Sequence, residues 1–172
     1  MIYTKEQLDD FLVKVTDTLE NALLGCNVKL KDFIKSEEVY GFNSIYTNTD
    51  LFKIKLRIPS CALKVEDIKN VYIEIKMNKK SNTDILTNHD KRNDFVKFLY
   101  YQHEKEFLED KNTGIWRYTS NSDPGNSTIR IYKEFKVKNA GLPSVDDVVR
   151  SFKILANLDI PTELKKWREQ YK

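Results

Sequence analysis

A chain of 172 residues, 40% apolar and holding nine Phe, nine Tyr and two Trp, has enough large side chains for one core of ordinary domain size, which excludes an intrinsically disordered chain. Its 29 Lys+Arg against 26 Asp+Glu give a formal net charge of +3, too mild to identify a nucleic-acid binder by charge and of the wrong sign for an acidic DNA mimic. Neither a long apolar run nor a basic-then-apolar leader is found after Met1, so the expectation is a cytoplasmic protein with no membrane partner, whose Cys26 and Cys61 are free thiols.

Thr4-Lys5-Glu6-Gln7 is a capping box, and it predicts a helix whose Leu8, Phe11, Leu12, Val15, Leu19, Ala22 and Leu23 form one apolar stripe ending near Gly25, a left-handed cap. From Val28 the period changes to two, predicting short strands with a turn at Gly41-Phe42-Asn43. Phe52-Lys53-Ile54-Lys55-Leu56-Arg57-Ile58 is the clearest strand: its even positions are apolar and its odd positions basic, so one face is buried and the other carries three cations. Pro59 ends it. Val65 to Lys69 reads as a loop or short helical turn. Val71-Tyr72-Ile73-Glu74-Ile75-Lys76-Met77 then alternates in the same way as a sheet neighbour, its direction left open.

Lys79 to Asp90 is polar and reads as a loop. A long helix is predicted around Asp94 to Glu109, with Phe95, Leu99, Gln102 and Glu106 on one face and Val96, Phe98 and Phe107 widening its apolar side, until Asn112-Thr113-Gly114 stops it. Gly114-Ile115-Trp116-Arg117-Tyr118 and Thr128-Ile129-Arg130-Ile131-Tyr132, separated by a segment with Pro124-Gly125, form a hairpin. Ser144 caps a further helix with Val145, Val148, Val149, Phe152, Leu155 and Ala156 as its stripe; Pro161 is expected to break it before a terminal amphipathic turn with Leu164 and Trp167. The expected fold is a single α+β domain over 1–172, a largely antiparallel sheet with helices from the N-terminus, middle and C-terminus.

This order of elements, with Val71-Tyr72-Ile73-Glu74-Ile75, Asn93-Asp94-Phe95 opening the long helix, Trp116, Ile129-Arg130-Ile131-Tyr132 and the final helix, resembles a bacterial domain-of-unknown-function family, serial number 4268, over nearly the whole chain. The basic residue usual in that family ahead of the strand glutamate is replaced here by Tyr72 or Ile73. The resemblance implies an accessory domain often joined to nuclease-like or host-defence proteins, and hence a protein or nucleic-acid partner rather than catalysis.

Three kinds of chemistry are candidates. Glu74-Ile75-Lys76 has the E-x-K spacing of PD-(D/E)xK nucleases, with carboxylate and ammonium on one strand face to hold Mg²⁺ and orient water; Asp67 or Asp50 would be the upstream acid. The plainer reading is a charged wet face, with Glu74 paired across strands to Lys53 or Lys55. His103 and Glu106, at i,i+3 on the long helix, lack the further ligands a zinc site needs, and His89 is the only other imidazole. No G-x-S-x-G elbow or phosphate loop occurs among five glycines. The richest feature is the basic set Lys53, Lys55, Arg57, Lys76, Lys79 and Lys80, with Tyr72, Trp116, Tyr118 and Tyr132 as stacking platforms, although lysines also guard strands against edge pairing and aromatics also fill cores.

The expected function is a non-catalytic binding module of a bacterial or phage conflict system, contacting a nuclease complex or its nucleic acid. The alternatives are a phage-encoded inhibitor of a host defence nuclease and a small Mg²⁺-dependent nuclease; no cofactor is expected outside that last reading.

Overall fold

In a computed structural model, residues 3–28, 33–39, 42–60, 70–78, 88–111, 114–119, 129–137 and 141–170 are described. Helix α1 (Lys5–Ala22) is followed by strands β1 (Phe33–Val39), β2 (Phe42–Asn48), β3 (Phe52–Pro59) and β4 (Val71–Met77). Then come helices α2 (His89–Gln102) and α3 (Glu104–Glu109), strands β5 (Trp116–Thr119) and β6 (Arg130–Phe135), and helices α4 (Val145–Ala156) and α5 (Ile160–Glu169). The strands form one sheet in the order β1-β2-β3-β4-β6-β5, every described pairing antiparallel.

Local chemistry explains most boundaries. In the α1 capping box, Thr4 Oγ1 accepts from Gln7 N–H at 3.1 Å while Gln7 Oε1 accepts from Thr4 N–H at 2.8 Å. The helix ends at a Leu23 cap, and Gly25 takes the left-handed φ of +82° two residues later. Ser144 Oγ accepts from Asp147 N–H at 3.1 Å to start α4. Period two on β3 buries Phe52, Ile54, Leu56 and Ile58, and on β4 buries Val71, Ile73, Ile75 and Met77. Each such side chain contributes roughly 1.5–3 kcal/mol by leaving water. Helix α4 packs on β3 and β4 with α1 against it, and α2 meets β5, β6 and α5. The described helices thus lie on one face of the sheet around one apolar core.

Four expectations need correction. The middle helix begins at His89, capped by Asn88 Oδ1 accepting from Lys91 N–H at 3.1 Å, and it breaks at His103 instead of running unbroken to Glu109. Within it Gln102 is exposed, so it does not share the buried face of Phe95 and Leu99. Pro161 breaks nothing: it sits in the first turn of α5, where a missing N–H costs little, and the expected terminal turn is a ten-residue helix burying Leu164 and Trp167. Of the turn expected at Gly41-Phe42-Asn43, Phe42 and Asn43 belong to β2, and Gly41 lies outside the described residues. Cys61, Val65 to Lys69 with Asp67, Lys79, Lys80 and the segment 120–128 lie outside the described residues. Cys26 is a free thiol. Among the described residues no helix is long and apolar enough to cross a membrane.

Candidate nucleic-acid interface

Because strand side chains alternate, burying Ile54, Leu56, Ile73 and Ile75 under the helices sends Lys53, Lys55, Arg57, Tyr72, Glu74 and Lys76 to the opposite face. The β3/β4 register sets Lys53 opposite Lys76, Lys55 opposite Glu74 and Arg57 opposite Tyr72. From β2, Ser44 and Tyr46 join this face opposite Arg57 and Lys55. From the other side β6 adds Arg130, Tyr132 and Glu134, opposite Lys76, Glu74 and Tyr72. No described helix packs against this surface. Four cations singled out from the sequence, Lys53, Lys55, Arg57 and Lys76, are therefore brought together.

Charge on this face is unbalanced. Lys53 and Lys55 both reach over the Tyr46 ring, at 4.9 and 5.8 Å from its centroid. Burial pushes the Lys55 ammonium below its ordinary pKa, and the cations Lys53, Lys76 and Arg57 push the same way while Glu74 opposes them. Beyond the burial, the three like charges around Lys55 make a positive field that an arriving anion relieves.

At the centre of the face lies a compact arrangement that sequence reasoning missed. Glu74 does not pair with Lys53 or Lys55: its Oε2 accepts a hydrogen bond from Arg130, and Lys76 Nζ stands 3.6 Å from Oε1. The Arg130 guanidinium is flanked by two rings, 5.2 Å from the Tyr72 centroid and 4.4 Å from that of Tyr132, and Glu74 is only 1% exposed. Arg130 was visible in the sequence only as a member of a strand. What unites it with Glu74, 56 residues away, is the β4/β6 register.

Two expected stacking platforms are not on this face. Trp116 stands in register with Lys133 and Tyr118 with Ile131, both on the helix-covered side. Trp116 is buried and its Nε1–H donates to Asp110 Oδ2 at 3.0 Å, while the Tyr118 ring sits among Tyr100 and Tyr101. Tyr72 and Tyr132 are where the stacking reading needs them, and Tyr46, not singled out beforehand, joins them.

On the helix-covered side a second polar cluster has a buried centre, closed at its rim by the exposed Arg150. Lys133 is 0% exposed, and its ammonium donates to Asp110 O at 2.8 Å, Asp110 Oδ2 at 3.0 Å and Ser151 Oγ at 3.2 Å. Ser151 Oγ donates to Asp110 Oδ2 at 2.6 Å, and Arg150 Nε donates to Asp110 Oδ1 at 3.0 Å. Burial alone would raise the Asp110 pKa, but the hydrogen bonds from Ser151, Arg150, Lys133 and Trp116 outweigh it and hold the carboxyl at about 2. Here a serine beside a lysine is a joint of the fold, because the hydroxyl proton is committed to a carboxylate and no solvent reaches the lysine.

The nuclease constellation acquires only two of its parts. Glu74 and Lys76 share a face as the spacing requires, but the carboxylate is occupied by Arg130, a cation where the metal would sit. Asp50 is exposed in the bend before β3, and Asp67 lies outside the described residues. Among the described residues no group of three or more His, Cys, Asp or Glu is arranged to hold a metal ion. His103 does meet Glu106, with Nδ1 3.6 Å from Oε2, but its Nε2 faces Glu163 Oε1 at 3.3 Å. The ring thus spans two carboxylates at the α2/α3 break rather than sharing an ion with either.

Compared with known proteins, the chain matches no family model, no curated protein and no solved structure.

Proposed function

We propose that the protein is a non-catalytic binding module whose sheet face opposite the described helices holds a single strand of nucleic acid. The observation that carries this reading is the joint presentation of Lys53, Lys55, Arg57 and Lys76 with the rings of Tyr46, Tyr72 and Tyr132 on one face. Lysines neutralise phosphates without regard to sequence, and tyrosines offer π-faces to unpaired bases. A duplex keeps its bases stacked inside, so it would use the cations and forgo the rings. The conflict-system setting implied by the family resemblance supplies a nuclease complex as the natural source of such a strand.

The test is the anisotropy of labelled single- and double-stranded DNA and RNA from low to high salt, with and without Mg²⁺, each sample also run on a gel for cleavage. The expected result is single-strand binding without cleavage, with log affinity falling against log salt at a slope of about −3 for four phosphate contacts at ~0.7 each. Salt-independent binding, or no binding to any of the four ligands, removes the proposal and leaves a protein partner as the alternative. Cleavage that requires Mg²⁺ and vanishes in Glu74→Ala would replace it with the nuclease reading.

A further inference from the structure

Where β6 ends, beside the edge strand β5, the sheet face opposite the described helices deepens into a cleft of about 590 Å³, within the roughly 300–1,000 Å³ span of small-ligand sites. Its walls are built by close backbone packing. Gly114 lies so near the Glu134 carbonyl that a Cβ there would collide with it, which sets the segment entering β5 hard against β6. On the other side, Gly141 N–H donates to Val137 O at 3.0 Å and Gly141 adopts a φ of +71°, turning the chain into the Leu142-Pro143 rim.

The chemistry of the lining is that of a phosphate monoester with an organic body. Lys111, Arg117 and Lys136 border the cleft, all exposed, and none of them forms an ion pair among the described residues. Among the described residues lining it the one carboxylate, Glu134, is tied through Oε2 to Asn70 Nδ2 at 3.1 Å, which leaves its other oxygen to accept from a sugar hydroxyl. Ile115, 62% exposed, and the Tyr132 ring supply apolar surface. Tyr132 also belongs to the strand-binding face, so the two surfaces are continuous. The Lys53-to-Arg57 row on β3 is three inter-strand steps from β5, about 14 Å.

We infer that this cleft receives the phosphorylated end of a bound strand, a terminal nucleotide whose monoester phosphate is held by Lys111, Arg117 and Lys136. The inference rests on the sheet face being a strand-binding surface. Charge selects an end over an internal linkage: a phosphate monoester carries about −1.5 to −2 near neutral pH, a diester only one charge, and three cations bordering one cleft match the former. Size also agrees, since the cleft suits one nucleotide and excludes a duplex.

The experiment compares single-stranded 12-mers of one sequence with 5′-phosphate, 3′-phosphate or only hydroxyl ends, on the wild type, on Arg117→Ser/Lys136→Ser and on Lys53→Ser/Lys55→Ser/Arg57→Ser, with circular dichroism confirming each fold. A terminal phosphate should tighten wild-type binding about tenfold, the scale of one or two charge-assisted hydrogen bonds. A gain confined to one end gives the polarity of the bound strand. The Arg117/Lys136 variant should lose the gain while binding hydroxyl-ended strands within about twofold of wild type. The β3 variant should bind all three strands more weakly with the ratio between them kept. Equal affinity for the three strands, or a gain that survives Arg117→Ser/Lys136→Ser, overturns the inference. Binding of phosphorylated strands alone, unaffected by the β3 variant, would instead overturn the sheet-face reading and leave the cleft standing.

Discussion

The two faces of one sheet hold two clusters of similar composition and opposite character. Under the helices, Asp110 meets Lys133, Arg150, Ser151 and Trp116, and both its carboxylate oxygens accept hydrogen bonds. On the other face Glu74 meets Arg130 and Lys76 between Tyr72 and Tyr132, yet among the described residues its Oε1 and Arg130 Nε have no hydrogen-bond partner, and Lys53 and Lys55 lie over the Tyr46 ring. Full satisfaction is what a buried joint requires, since an unmade bond in low dielectric is costly. Unspent charge and aromatic surface are what a binding face retains. The same residue types therefore serve cohesion on one side and, under the proposed function, recognition on the other, according to how completely their hydrogen bonds are met.

The sharpest way to break this contrast is to cut the inner cluster. Asp110→Ala strands Lys133 without its carboxylate, and urea denaturation should show a loss of about 3–5 kcal/mol. A much smaller loss would mean that the joint is ornamental. Replacing both partners, Asp110→Ala with Lys133→Met, should cost less than Asp110→Ala alone, because no buried charge is left unpaired.

Acid titration gives the next effect. Asp110 is depressed to about 2 from an ordinary 3.8, so its contribution is fully present above about pH 4 and is lost as the pH falls through 2. The shift corresponds to about 2 kcal/mol. The wild type should therefore lose stability over that window more steeply than Asp110→Asn; parallel curves would refute the depressed pKa.

On the outer face the same measurements should show little. Glu74→Gln keeps an acceptor for Arg130 and should cost about 1 kcal/mol, while removing a negative charge from the basic surface should leave strand binding equal or tighter. Weaker binding would give Glu74 a direct role in holding the ligand. The smallest stability change, within about 0.5 kcal/mol, is expected for Lys53→Ser/Lys55→Ser/Arg57→Ser. Its consequence lies in binding: three lost phosphate contacts should flatten the salt slope by about 2. An unchanged slope would separate these residues from the ligand.

Local periodicity carried a large part of this protein. The capping box of α1, the alternation of β3 and β4, the hairpin of β5 with β6 and the Ser144-capped helix follow from rules acting over a few residues, and so does the co-planarity of Lys53, Lys55 and Arg57. Such rules also mislead where context decides. Pro161 reads as a breaker but opens α5, because proline is excluded from a helix interior and accepted in its first turn. The break at His103 bears no Gly or Pro, and its imidazole is held between Glu106 and Glu163, the latter 60 residues away. Alternation likewise could not say which face of β5 and β6 would be covered, so Trp116 and Tyr118 were grouped with the lysines although both lie on the helix side.

By itself, then, the amino-acid order determined the α+β class, the antiparallel character of the sheet and the basic row on β3. Tertiary structure alone decided that β6 inserts between β4 and β5, and three features follow from that insertion: Arg130 lies on Glu74, Lys133 is driven under the helices onto Asp110, and the β6 end opens into the Lys111-Arg117-Lys136 cleft. The division has a physical cause. Secondary structure answers to neighbours three or four residues away, whereas a charged side chain's partner is set by strand order and register, which the burial of the whole core selects.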